Sequence, residues 1–499
     1  MLDDTHSSFM PMAAEKQNEK KVTPRSTDFA GWYNDVILRA ELADYSPVRG
    51  SMVFRPDGFG IWELLRDELD RRIKKTGARN AYFPMFIPQS LLDKEAQHVE
   101  GFAPEVAVVT HGGGKLLEEP LIVRPTSETI INHMFAQWIH SHRDLPMMVN
   151  QWCNVVRWEM RTRLFLRTLE FLWQEGHTAH ATREEAERET LTMLEVYRRF
   201  VEEFLAIPLT VGRKSAAERF PGAEETYTIE GLMADGRALQ CGTSHFLGQN
   251  FAKAFEIRFL DESNQLQHVW QTSWGVSTRL LGAIIMVHGD DQGLRLPPAV
   301  APTQAVIVPI SRKPDEAEKV RAAARSLHDS LEAAGVRVKI DEREGLTPGF
   351  KFNDWEMRGV PIRIEIGPRD VAAGEVVLAR RDRLGPEAKQ KAPIAEVASR
   401  VTALLAEIQK SLFEQALGAR NANTREFDDY AAFAEQMEGE GGGGMANVFW
   451  CGNPECETKI REQTKATCRA IPLNQNGASG KCIVCGEPSN ERAFFAKAY

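Results

Sequence analysis

Long apolar runs are missing from this 499-residue chain. Its apolar stretches, such as "AVIVPI" at 305–310 and "LLGAIIMVHG" at 280–289, are short and bounded by Gly, Pro or charge. None approaches the ~20 residues that span a bilayer, so no membrane segment is expected. No leader is expected from its first residues either. Residues 1–22, "MLDDTHSSFMPMAAEKQNEKKV", are polar and mixed in charge, with neither a basic start before an apolar stretch nor an Arg-rich, acid-poor character. They read as a disordered N-terminal tail on a cytoplasmic protein. Cysteine is scarce: of seven, five fall within residues 451–485, four of them as two close pairs, which fits a reducing compartment and a metal site and speaks against a disulfide framework. Positive charge is not in excess either. The 61 basic residues against 70 acidic ones give a net charge of −9, which argues against a general nucleic-acid coat but leaves room for a local basic groove. No internal repeat is visible.

With 43% hydrophobic residues, the chain is too long for one core and rich enough for several, so two to four domains are expected. Residues 23–301 mix amphipathic helices such as "GIWELLRDELDRRIKKTG" with short alternating segments, the pattern of an α+β domain around an antiparallel sheet. Three prolines at 297, 298 and 302 mark a boundary. From 302 to 410 strands alternate with helices, which predicts a small α/β domain. A long helix from "PIAEVASRV" then leads into a third unit, 411–499, whose "EQMEGEGGGGM" reads as a flexible loop.

The segment "RWEMRTRLFLRT" carries Arg157, Arg161, Arg163 and Arg167 around the single acid Glu159. Read as an extended strand, it places Arg157, Glu159, Arg161 and Arg163 on one face and Trp158, Met160 and Leu164 on the other, with a hairpin near 161–166 returning Arg167 toward Arg157. Such a face wants an anionic partner. Alone, it reads equally as a solvated face with salt bridges. Downstream, "FLWQEGHTAH" sets Trp173, Glu175 and His177 on one face of a strand, a small wall suited to an amine-bearing ligand. His177 and His180 form an H-x-x-H pair with no evident third ligand, so a pocket wall or packing is favoured over zinc. Upstream, Thr126 and Glu128 of "PTSE" precede an amphipathic helix, where capping and ligand binding compete. "THGGGK" at 110–115 lacks the Ser or Thr and the glycine spacing of a phosphate loop and reads as a hairpin turn. At the C-terminus, Cys451 and Cys456 of "CGNPEC" and Cys482 and Cys485 of "CIVCG" make two close pairs suited to a tetrahedral structural zinc, with a redox pair as the weaker alternative and Cys468 outside either spacing.

Three strings in order carry a resemblance. "GARNAYFPMFIP" with Pro84, "VVRWEMRTRLFLRT" and "SWGVSTRLLGAIIMVHGD" with Arg279 resemble motifs 1, 2 and 3 of class II aminoacyl-tRNA synthetases. "RPTSETIINHMFAQWI", "FLWQEGHTAHAT", "LQCGTSHFLGQNF" and "GFKFNDWEMRGVPIRIEIGPRD" are similar, more narrowly, to the prolyl enzymes of class IIa, of the archaeal and eukaryotic type. The resemblance implies a catalytic domain at 23–301, an anticodon-binding domain at 302–410 and a zinc-binding α+β domain at 411–499. It implies ATP with Mg2+, L-proline and tRNA(Pro) as ligands, a structural Zn2+, and a homodimer built around motif 1. Carried over by position, Arg157 meets the α-phosphate and the amino-acid carboxylate, and Glu159 the adenine amino group. Arg167, Thr168, Gln240, Thr243, Ser277 and Arg279 contact ATP, with Arg279 toward the γ-phosphate, while Arg161 or Arg163 meets the tRNA acceptor end. Thr126 and Glu128 grip the proline nitrogen, Trp173, Glu175 and His177 wall its pocket, and His245 contacts proline. Glu356, Arg363 and Arg369 read anticodon guanines, for which a carboxylate and guanidiniums are apt partners. About 60 residues between the motif 2 strands and "LQCGTSH" leave no room for the large editing insertion of many bacterial-type relatives. The rival expectation is a synthetase-like protein that binds tRNA or a regulator without catalysis, which sits badly with a complete set of ATP-binding residues.

Overall fold

The computed structural model describes residues 22–98, 106–311, 313–439 and 443–499. The expected N-terminal tail, apart from Val22, and residues 440–442 of the glycine-rich stretch lie outside the described residues, while the start of that stretch, read as a flexible loop, closes helix Tyr430–Glu438 instead. No helix among the described residues is long and apolar enough to cross a membrane.

Alternation in the first region produces the expected antiparallel sheet. Its central strands run in the spatial order Leu209–Arg213, Glu225–Leu232, Ala238–Gly248, Trp270–Ser277, Glu170–His180 and Met147–Val156, with Arg79–Asn80 added in parallel at one edge. Helix Arg183–Phe204 covers one face. Its start is set by a capping box in which Thr182 and Glu185 satisfy each other's backbone amides. Tyr197 on this helix packs on Trp274 and donates to Gln174 Oε1 at 2.5 Å, and Ser244 Oγ donates to the Thr190 carbonyl at 2.7 Å. Gly176 makes room for Trp274, because a Cβ there would lie 2.0 Å from the indole. The other face of the sheet remains for the site.

The glycine-rich "THGGGK" is the predicted hairpin turn: it joins Ala107–Gly112 to Lys115–Val123 through Gly113 and Gly114, both with φ in the left-handed region (58° and 77°). In the second region strands Val338–Ile340, Ala305–Pro309 and Ile362–Ile366 are parallel, and Glu375–Arg380 and Lys389–Pro393 continue the sheet antiparallel. The proline-marked boundary is tightly held: Arg337 donates to the carbonyls of Pro298, Ala299 and Ala301, and Arg381 clasps Asp290 with both Nη groups at 2.7 and 2.5 Å.

Helix Val397–Ala422 runs through position 411; beyond it Gly480–Lys481 and Pro488–Ser489 pair as a small separate hairpin, but the other four strands do not form a sheet of their own. Thr424–Phe427, Met445–Phe449, Arg492–Ala496 and Thr467–Pro472 extend the catalytic sheet, joined to it where Ile471 and Pro472 pair with Arg213 and Gly212. The result is one eleven-stranded sheet. Backbone pairing between distant strands carries no signature in either strand's sequence, so the continuity is visible only in the fold.

Candidate active site

Strand register assembles the floor. His177, Ser273, His245 and Thr226 stand side by side on four neighbouring strands, and the next row of the same face is Glu175, Gly275, Thr243 and Thr228. Trp173 and Ser277 begin a third row. Above the floor lies a cavity of about 310 Å3. Thr126 and Glu128 wall it from the start of helix Glu128–Trp138, Arg157 from just beyond strand Met147–Val156, Phe171 from strand Glu170–His180, and Arg279 from the first residue of helix Arg279–His288. Thr126, Glu128, Arg157, Trp173, Glu175, His177, Gln240, Thr243, His245, Ser277 and Arg279, all singled out from the sequence, line this one space.

One end is acidic. Donor atoms of Glu128, Glu175 and His177 lie within 4.8 Å of one another, and Thr126 Oγ1 donates to Glu128 Oε2. Glu175 accepts from Gln151 Nε2 at 2.9 Å and the Ser127 amide at 3.2 Å, with His177 Nε2 3.2 Å away. Burial favours the neutral form of Glu175, yet these donors and the His177 charge hold its carboxyl below the usual range. Burial likewise opposes a proton on His177, but Glu175 and Glu128 hold the imidazole above its ordinary value. In His245 nothing offsets burial, and with His177 nearby its imidazole falls to about 3. Thr226 Oγ1 accepts the Phe220 amide at 3.1 Å and bonds His245 Nδ1 at 2.9 Å. Between the two histidines, the buried Ser273 Oγ has no hydrogen-bond partner among the described residues.

The other end is cationic. Arg157 donates through Nε to the Pro125 carbonyl at 2.9 Å and lies over the rings of Phe171 and Trp173. Arg279 donates to the Leu166 carbonyl at 3.3 Å, and burial together with the charges of Arg167 and Arg157 lowers its guanidinium. With Arg279 at the start of its helix and Arg157 across the cavity, this end favours an anion. The cavity therefore offers acceptors for an ammonium at one end and donors for a polyanion at the other.

Residues 157–169 are not the extended strand that alternation suggested. Strand Met147–Val156 ends before Arg157, and the segment loops out and folds back through a bridge between Arg163 and Arg167 with a turn at 164–166. The expected turn is present, but the two-faced pattern is not: Trp158 and Met160 are exposed while Leu164 is buried. Loop geometry serves side-chain placement differently, bringing Arg167 Nε 3.6 Å from Glu159, and neither residue lines the cavity in this state. Thr168 also stands outside it, its hydroxyl donating to the Glu170 carbonyl at 2.7 Å. His177 and His180 point to opposite faces, as an odd separation in a strand requires, and His180 bonds Thr178 Oγ1 instead. Ser127 occupies the N-cap of its helix without a side-chain cap bond, so Thr126 and Glu128 are spent on the cavity and not on capping.

A second cavity, of about 480 Å3, opens on the α/β domain and is lined by Glu356, Arg363, Phe352 and Lys389 among others. Arg363 Nη1 donates to Glu356 at 2.6 Å, its other nitrogens hold Glu365 at 3.0 and 3.1 Å, and its guanidinium lies 4.1 Å from the Phe352 ring centre. Arg369 is exposed on helix Pro368–Ala373 and does not join this lining.

In the third region Cys451, Cys456, Cys482 and Cys485 converge, with Cys451 Sγ 3.8 Å from Cys456 Sγ and 3.7 Å from Cys485 Sγ. A tetrahedron with vertices ~2.3 Å from its centre has edges of ~3.8 Å, so this spacing fits four thiolates on one zinc and is far too long for a disulfide. Burial raises the Cys482 thiol, but the amides of Cys485 and Val484 bring it down to about 7. Burial and neighbouring sulfurs push Cys456 and Cys451 up, since a second thiolate there needs a cation. Cys468 lies apart from the cluster, buried in its strand.

Comparison with known proteins bears on each part. Residues 115–288 match the tRNA synthetase class II core domain (G, H, P, S and T), 304–404 the anticodon binding domain, and 430–499 the prolyl-tRNA synthetase C-terminal family. The chain is 56% identical, over 97% of its length and 89% of the relative's, to the chloroplastic/mitochondrial proline–tRNA ligase of Arabidopsis thaliana. It belongs to the class II prolyl-tRNA synthetases. It is 55% identical to the proline–tRNA ligase of Symbiobacterium thermophilum, over 98% of this chain and all of the other. The crystal structure of prolyl-tRNA synthetase from Cryptosporidium parvum, complexed with halofuginone and AMPPNP, superposes with a TM-score of 0.92 at 41% identity, covering 96% of this chain and 99% of that one. Relatives thus include bacterial and organellar synthetases, a wider range than the archaeal and eukaryotic type.

Ser273, Glu218 and Phe220 also line the synthetase cavity and were missed by sequence reasoning. Ser273 is four residues before Ser277 in one strand, so the two-residue period already placed both on the same face. Glu218 and Phe220 sit in an irregular segment outside the motifs, and nothing local marks them.

Proposed function

We propose that the chain activates L-proline with ATP, releasing pyrophosphate, and transfers the prolyl group to tRNA(Pro). The observation that carries this is one cavity whose acidic end accepts an ammonium and whose opposite end presents Arg157 and Arg279. In-line attack of a carboxylate on the α-phosphate needs alignment and charge neutralisation, and no protein nucleophile. A secondary ammonium has two N–H donors, for which Thr126, Glu128 and the neighbouring Glu175 supply acceptors. Arg157 spans the proline carboxylate and the α-phosphate, and Arg279 takes the γ-phosphate end. Gln240, Thr243 and Ser277 flank the nucleotide, and Glu159, Arg167 and Thr168 close on it as the 157–169 loop folds over. Mg2+ accompanies ATP and neutralises phosphate oxygens. Cys451, Cys456, Cys482 and Cys485 hold a structural zinc. The 57 residues from 181 to 237, with no inserted domain between Glu170–His180 and Ala238–Gly248, support a reading of the chain as the archaeal and eukaryotic type.

Amino-acid-dependent exchange of labelled pyrophosphate into ATP, run without tRNA across the twenty amino acids, tests this reading. Strong exchange with proline is expected; folded protein with Mg2+ that exchanges with none of them refutes tRNA-independent activation.

Glu356, Arg363 and Arg369 are the proposed anticodon readers, supported by the open cavity beside the first two. The Arg363→Ala variant should charge tRNA(Pro) with kcat/KM lower by roughly ten- to a hundredfold, the scale of one lost bidentate base contact, while pyrophosphate exchange keeps its rate. Equal losses in both assays would place Arg363 outside anticodon reading.

A further inference from the structure

One wall of the proline end is held by the C-terminal unit. Segment 214–220, which supplies Glu218 and Phe220 to the cavity, crosses a buried group of charges before it reaches the site. Lys214 Nζ donates to Glu230 Oε1 at 2.8 Å, and Thr228 Oγ1 donates to the same oxygen at 2.7 Å. Glu230 is wholly buried, and its second oxygen accepts from Arg469 through Nε at 3.1 Å and Nη2 at 2.9 Å. Arg469 Nη1 lies 3.6 Å from Glu218 Oε2 and donates to Thr467 Oγ1 at 3.0 Å. Nearby, Ser215 Oγ donates to Glu457 at 2.7 Å. Arg469 belongs to strand Thr467–Pro472 and Glu457 to helix Pro454–Thr464, so both ties come from the C-terminal unit.

Lys214 and Arg469 face Glu230 and Glu218, with the Glu457 carboxyl beside them, and Arg469 is the member that reaches both the buried carboxylate and the cavity wall. From that wall the contacts run on to the ligand space: the Phe220 ring stands 4.6 Å from the His245 ring, and its amide donates to the Thr226 hydroxyl that holds His245 Nδ1. We propose that Arg469 is a positioning residue for the amino-acid pocket, fixing segment 214–220 through Glu230 and Glu218 and thereby the placement of Phe220 and His245. A guanidinium suits this task because its planar fork serves two carboxylates at once, which an ammonium cannot match. The inference rests on the reading of the His245 end of the cavity as the proline site.

Two variants and two readouts test it. In Arg469→Met and the milder Glu218→Gln, KM for proline in pyrophosphate exchange should rise, by about tenfold in the former, with KM for ATP and kcat within about twofold of wild type. Arg469→Lys, which keeps the charge, should recover part of the loss. Hydrogen–deuterium exchange read by mass spectrometry should quicken in peptides covering 214–226 and stay unchanged in those covering 147–180. Unaltered proline KM and unaltered exchange at 214–226 in folded Arg469→Met would overturn the proposal, as would equal losses in proline KM, ATP KM and melting temperature in both variants. Wild-type protein that exchanges with no amino acid would strike the functional reading instead, and the deuterium result would still decide whether Arg469 holds the wall.

Discussion

Arg157→Ala should lower proline-dependent pyrophosphate exchange by on the order of 10²–10³-fold, the usual cost of deleting one preorganised donor to transition-state charge. The geometry explains why the loss falls on chemistry. Arg157 is anchored through Nε to the Pro125 carbonyl and braced by Phe171 and Trp173, while its Nη groups carry no protein hydrogen bond among the described residues. Its orientation is thus fixed before substrate arrives, and no reorganisation is required during the reaction. The cavity places it between the acidic end, proposed to hold the amino group, and Arg279, proposed to meet the polyphosphate. Binding of tRNA(Pro) and the melting temperature should stay near wild type, because the guanidinium stands at the cavity rim and supports no core contact. A variant that loses tRNA binding and thermal stability along with exchange would show that Arg157 holds structure.

Removal of zinc should unfold the C-terminal unit. Structural zinc contributes roughly 10–16 kcal/mol of apparent folding free energy at neutral pH, as large as the ~5–15 kcal/mol margin of a whole domain. Cys456 and Cys482 are buried within the same cluster of apolar residues as Trp450, Ile460 and Phe495, so four unpaired sulfurs there would leave a crowded, poorly solvated centre. Elemental analysis should find one zinc per chain. Chelation, or Cys482→Ser, should give an early melting transition and release the strands Thr467–Pro472 and Arg492–Ala496 to rapid amide exchange. Because Thr467–Pro472 pairs with Leu209–Arg213, the damage should spread into the edge of the catalytic sheet. Purified protein with less than a tenth of an equivalent of zinc and a melting curve indifferent to chelator would remove the metal from the cluster.

Much of this molecule was legible before any coordinates. The two-residue period placed Trp173, Glu175 and His177 on one face, and the cavity has them together. Cysteine spacing named the four sulfurs that converge, and the alternation of strands and helices after 302 matches the order of the α/β domain through Ile362–Ile366, while helix Pro368–Ala373 and edge strand Lys389–Pro393 were not foreseen. These succeed because each rests on local geometry, where a side chain's direction follows from its neighbours along the chain. Periodicity failed at 157–168, where the chain leaves the sheet and alternation no longer governs where Arg157 and Arg167 point.

The sequence by itself determined the chemistry available to this protein: the arginines, the acid and histidine wall, the thiolate set and the class of fold. Tertiary structure alone decided that Ser273 stands between two histidines, that Glu218 and Phe220 reach the cavity, and that the C-terminal strands join the catalytic sheet through Ile471 and Pro472. The reason is physical. Cross-strand register joins distant stretches of chain, and the buried ion pair of Glu230 with Arg469 links residues 239 positions apart; such pairings are fixed by global packing, which no short window of sequence contains.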